Sequence, residues 1–183
     1  MKYSKSFSRP RVILDVNFYV SCMLVMFELN AKEHPTELPK GFNSYLEGKF
    51  PKYGQKWEGC THLYFSVCSR SHWYAVEVDI AKSTMYDPDR RYSTDDQIRA
   101  DLKPMIMILS MLLNKINIVI DALAIERITT TSKQSNSGDC GVYAIKYIEF
   151  LSISIQAELV NRFHTQKWRR KLAVELYTLD CTP

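Results

Sequence analysis

The chain has 183 residues, 46% hydrophobic, 12% aromatic and 24% charged, the profile of one globular domain large enough to bury a proper core. Only 6 Gly and 7 Pro exclude a collagen-like or low-complexity chain, and no Gly-rich phosphate loop is present. A net charge of +4, from 24 basic and 20 acidic residues, permits an acidic partner without demanding nucleic acid, and none is expected. Five cysteines form an odd set with no framework spacing, which argues for free thiols in a reducing compartment, the nucleus or cytoplasm. The apolar runs at 18–27 and 105–113 fall short of the roughly 20 residues that span a bilayer, and the first lacks a signal-peptide cleavage site. No membrane is expected.

Residues 1–14, with Lys2, Lys5, Arg9 and Arg11, read as a polar arm before a domain at 15–183. Tyr19, Met23, Met26 and Phe27 recur at helical spacing, so 15–30 predicts an amphipathic helix capped by Asp15. The Pro- and Gly-rich stretch 31–60 predicts loops around one short helix near 42–48. Aromatic and β-branched residues then predict strands at 61–68, 73–80 and 84–87, an antiparallel meander with a polar turn at 81–83. Residues 95–113 read as a helix that Pro104 should kink or divide, and 124–130 as a further strand. From 141 to 159, Val142, Ile145, Ile148, Leu151 and Ile155 form one helical stripe and Tyr143, Tyr147 and Phe150 a second. A last helix at 165–179 places Trp168, Leu172, Leu176 and Leu179 on one face. A central mixed sheet of about five strands flanked by helices is α+β.

The segment KQSNSGDCGVYAIKYIEFL carries the chemistry. Cys140 falls where a polar loop enters the long helix, so its thiol sits at the positive end of the helix dipole, which favours the nucleophilic thiolate. Gly138 and Gly141 leave room for a substrate carbonyl, and Asp139 is placed to cap the helix. A nucleophilic cysteine needs a base, and His72 heads a strand from which its ring projects past the sheet end. Asp87 closes the paired strand and is placed to orient that imidazole, as a triad requires. Gln134, six residues before Cys140, can fold its amide beside the Cys140 N–H as the second donor of an oxyanion hole.

His72-Trp73, then Tyr86-Asp87, then Gln134-x-Asn136-x-x-Asp139-Cys140-Gly141 resembles the ubiquitin-like protease family of SUMO-deconjugating cysteine peptidases, in the clan of the adenovirus endopeptidase. The resemblance covers 15–183 and is densest at 61–88 and 124–152. It implies an adenain-like variant of the papain-like fold, with the nucleophile at the N-terminus of the central helix. It implies a thiol hydrolase, acting by acyl transfer on the bond after the C-terminal Gly-Gly of a ubiquitin-like modifier, SUMO first. Catalytic roles fall on His72, Asp87, Cys140 and Gln134, and substrate contacts on Trp73, Asn136, Gly138 and Gly141. Papain-like peptidases carry Cys before His, so the chain order here discriminates. Two departures stand out. RVILDVNFYV lacks the Trp that forms one wall of the family's Gly-Gly tunnel, leaving Trp73 as the other wall. Pro88 replaces a small residue after Asp87, and Asp87 is preferred to Asp89 because it ends the strand directly. The pattern is that of a divergent member.

Other readings weigh less. Cys22, Cys60, Cys68 and Cys181 read as small hydrophobes. Cys60, His62, Cys68 and His72 lack a Cys-x-x-Cys knuckle, so no metal and no cofactor is expected. Lys167, Arg169, Arg170 and Lys171 read as the solvated face of the last helix. A monomer is expected. The rival functions are a modifier-binding module of the same fold that does not cut, and a clan-related acetyltransferase.

Overall fold

The computed structural model describes residues 11–28, 37–52, 54–80, 82–86, 92–119, 125–128, 130–134 and 138–180. Among them run β1 (Arg11–Leu14), α1 (Val16–Glu28), α2 (Asn43–Leu46), β2 (His62–Ser69), β3 (His72–Asp79), β4 (Lys82–Tyr86), α3 (Asp95–Lys115), β5 (Ile125–Ile128), α4 (Cys140–Ser152) and α5 (Thr165–Asp180). Two short 3-10 turns, Ala157–Leu159 and Arg162–His164, link α4 to α5. No described helix is long and apolar enough to cross a membrane.

The five strands form one sheet in the order β1-β2-β3-β4-β5. The meander β2-β3-β4 is antiparallel, and β1 and β5 add to its edges in parallel. The sheet is therefore mixed, and the fold α+β as expected. Residues 11–14, read as the end of a polar arm, instead form β1, because Val12 and Leu14 are buried and pull this stretch into the sheet.

Strand pleating sorts side chains onto two faces. Leu63, Phe65 and Val67 of β2 and Tyr74, Val76 and Val78 of β3 join α1 and α3 in the larger core. Ala75 lies in the smaller one, with Tyr143, Ala144 and Tyr147 of α4, and Trp73 packs against its margin. Three helical stripes differ from expectation. On α1 the buried residues are Phe18, Tyr19, Cys22 and Met26, while Met23 and Phe27 are exposed. On α4 the second predicted stripe supplies the buried face, Tyr143 and Tyr147 with Ala144 between them, while of the first stripe Ile145 is exposed and Ile148 and Leu151 pack at the margin. On α5, Leu172 is partly buried and Leu176 exposed. These helices carry apolar residues on more than one side, so periodicity alone does not choose the buried side.

Asp15 caps α1 as read, its Oδ1 accepting from the Phe18 N–H at 3.2 Å. Pro104 does not divide α3, which runs 21 residues. Leu102, Met105, Ile108, Leu109 and Leu112 are buried on either side of the proline, and this continuous packing outweighs one lost backbone hydrogen bond. The chain leaves α4 at Ser152, short of the expected 159; Ser154 then adopts φ +62°, and a 3-10 turn follows.

Candidate active site

The head of β3 is set by a two-residue turn. Ser69 and His72 are register partners, joined only through Arg70 and Ser71. Both turn residues have positive φ, 50° and 61°, the backbone that matches the twist of a tight hairpin. Asp101 of α3 grips this turn: its carboxylate accepts from Ser69 Oγ at 2.6 Å and from both Arg70 guanidinium ends at 2.8 and 2.9 Å. His72 follows immediately and is 1% exposed. Its ring stacks on Tyr92, with centroids 4.6 Å apart and planes 6° from parallel.

Cys140 is the first residue of α4 and is 6% exposed. Its thiol therefore stands where helix N–H groups lack partners and the dipole is positive. At Gly141 an added Cβ would lie 3.6 Å from Trp73 Cδ1, so the indole lies against the first turn of α4. This contact brings the strand head and the helix head together. Cys68 faces Trp73 across the β2–β3 register. Burial pushes its thiol up, and the nearness of Cys140 adds to the shift. Cys68, Trp73, Gly141 and Cys140 form one neighbourhood.

Gln134 is buried, 7% exposed. The loop that carries it is tied to α4 by the Tyr147 hydroxyl, which donates to the Ser132 carbonyl at 3.1 Å. The chain turns into the helix at Gly138, with φ +93°. Asp87 and Asn136 lie outside the described residues.

Asp139 does not cap the helix. Its φ of −86° and ψ of −10° are already helical, and its side chain makes no capping bond. The carboxylate, 3% exposed, instead accepts from Arg169 Nη1 at 2.5 Å. The same Nη1 lies 3.5 Å from the Gly138 carbonyl. Arg169 thus does not belong to a purely solvated face. Sequence reasoning missed it because the partners are thirty residues apart, and a basic run on a helix carries no sign of which member turns inward.

This arrangement sits within a recognised family. A family model described as the Ulp1 protease family, C-terminal catalytic domain, matches residues 16–181. The chain belongs to the Ulp1 protease family. Among solved structures, it is similar to the C-terminal Ulp1 protease domain in complex with Smt3, the yeast ortholog of SUMO. Identity is 17% and the TM-score 0.61, over 89% of this chain and 66% of that one. It is also similar to the SUMO protease Ulp1 with its catalytic cysteine oxidised to a sulfenic acid, at 15% identity and a TM-score of 0.64, over 92% of this chain and 68% of that one. At such identities the likeness shows the fold, and this Ulp1-family domain spans about two thirds of each of these two solved chains. Among curated protein sequences none matches the chain.

Proposed function

We propose that this Ulp1-family domain is a cysteine peptidase that hydrolyses the bond after the C-terminal Gly-Gly of a ubiquitin-like modifier, SUMO foremost. The observation that carries the reading is the meeting of two heads: Cys140 opens α4, and Trp73, next to His72, lies against Gly141. In this reading the Cys140 thiolate attacks the glycine carbonyl. The oxyanion takes hydrogen bonds from the Cys140 N–H and the Gln134 amide. His72, oriented by Asp87, protonates the leaving amine, and the thioester is then released by a water from which His72 removes a proton. Trp73 lines the tail on one side, Gly138 and Gly141 leave it room, and Asn136 contributes to substrate binding.

The test is a panel of SUMO, ubiquitin and NEDD-type precursors and isopeptide conjugates, with modifier vinyl-sulfone probes beside them. The parent domain is expected to cleave and label with SUMO most strongly. Cys140→Ser should keep its circular dichroism and lose both activities. Cleavage by the Ser variant at the parent rate would place the nucleophile elsewhere. Binding of the probe without labelling would make the domain a modifier-binding module instead.

A further inference from the structure

The Asp139 carboxylate is adjacent in sequence to Cys140 and almost wholly shielded from water. An unpaired anion in such a place is costly in itself and opposes a second negative charge beside it. Its cation comes from α5, where Arg169 is half exposed and reaches in with one nitrogen. That nitrogen is directed at the two residues before the nucleophile, the Asp139 carboxylate and the Gly138 carbonyl. These residues make the turn that presents the Cys140 N–H and thiol.

We propose that Arg169 is a positioning residue for the nucleophile. It neutralises Asp139, so that the thiolate forms beside a closed ion pair in the turn at 138–139 from which Cys140 projects. Among the described residues, the charged and titratable groups around this point come from the sheet, from the turn before α4 and from the two helices. Cys68 comes from β2, and His72 heads β3. Asp139 precedes the helix, and Arg169 comes from α5. Tyr143 lies one turn along α4, its phenol pushed up by burial, with Arg162 and Asp139 in its field. Among these described groups Arg169 is the one in salt-bridge contact with Asp139. The proposal rests on the reading of Cys140 as nucleophile, but alkylation tests it without any modifier.

The experiment compares the parent with Arg169→Ala, Arg169→Lys and the double variant Asp139→Asn with Arg169→Gln. The readouts are the pH profile of Cys140 alkylation by iodoacetamide, kcat and KM on a SUMO precursor, and thermal midpoints. Arg169→Ala should alkylate about three- to tenfold more slowly at pH 7, with its profile displaced to higher pH. Its kcat should fall about tenfold while KM stays close to the parent value. Arg169→Lys restores the charge and should recover part of both. The double variant leaves no buried charge unpaired and should alkylate like the parent. Parent-like alkylation in Arg169→Ala overturns the proposal, and so does a double variant as slow as the single one, since shape and not charge would then be responsible. If alkylation follows the expected pattern while the parent cleaves no modifier, the positioning role stands and the substrate reading fails.

Discussion

Two glycines bracket the candidate nucleophile for different physical reasons. Gly138 has φ +93°, and an added Cβ would meet nothing within 4 Å; its constraint lies in the backbone alone. Gly141 is helical, and its added Cβ would touch the Trp73 indole at ordinary contact distance. Gly138→Ala should therefore lose about 1–2 kcal/mol of stability through the left-handed backbone. Gly141→Ala should be neutral to about 0.5 kcal/mol stabilising, because alanine is the better helix former. If the space at Gly141 admits a substrate carbonyl, that variant should nevertheless cleave about tenfold more slowly. Urea midpoints and precursor cleavage separate the two. A Gly141→Ala enzyme as fast as the parent would remove Gly141 from the substrate path. At this scale the place of Cys140 at the head of a helix and of His72 at the head of a strand was legible, because a polar loop before one apolar stripe and a run of aromatic and β-branched residues mark those two starts. The Asp139–Arg169 pair was not, because an ion pair between distant segments leaves no periodic trace.

The β2–β3 hairpin reaches His72 through a turn of two non-glycine residues in left-handed backbone. Such residues cost about 1 kcal/mol each, and the grip of Asp101 on Ser69 and Arg70 offsets that cost. Ser71 takes no part in that grip, so Ser71→Gly relieves strain without losing a bond and should raise stability by about 0.5–1 kcal/mol. A lower urea midpoint for this variant would show that Ser71 is held by contacts outweighing its backbone cost. The strands themselves were readable, since β3 alternates Tyr74, Val76 and Val78 toward one core and Trp73 and Ala75 toward the other. The helix faces were harder. Of the two stripes read on α4, the aromatic one turns Tyr143 and Tyr147 inward beside Ala144, toward the small Ala75 of β3, while Ile145 of the aliphatic one is exposed. Large rings fill the space over a small residue better than branched aliphatics do, and that choice is made by the partner surface. Likewise β1 was hidden, because four residues beside a basic stretch become a strand only when β2 stands there to pair with them.

Across the whole molecule, acidic hydrogens are held in the core on side chains that ionise at alkaline pH. Tyr19 is 5% exposed and packs between α1 and α3, where burial first, and the Asp101 carboxylate second, push its phenol up to about 12. Burial also pushes up the thiols of Cys22 and Cys60 and the phenol of Tyr143. The sign follows from linkage. Each group keeps its proton longer folded than unfolded, so the unfolded chain binds fewer protons as pH rises, and stability falls. The contribution is complete below the unfolded values, about 8.5 for a thiol and 10 for a phenol. It is lost as pH climbs through the raised folded values. For Tyr19 that window opens near pH 10 and closes near 12, and the loss across it is about 2–3 kcal/mol. Cys22 and Tyr19 sit in the larger core on one side of the sheet, so their ionisation should unfold it cooperatively. Urea midpoints measured from pH 7 to 11 should hold level to about pH 8.5 and then decline. Tyr19→Phe should flatten the fall above pH 10 and leave the earlier decline in place, whereas Cys22→Ala should flatten that earlier part. Midpoints that stay level to pH 11 would mean that these groups ionise as easily folded as unfolded, and that the large core admits water to them.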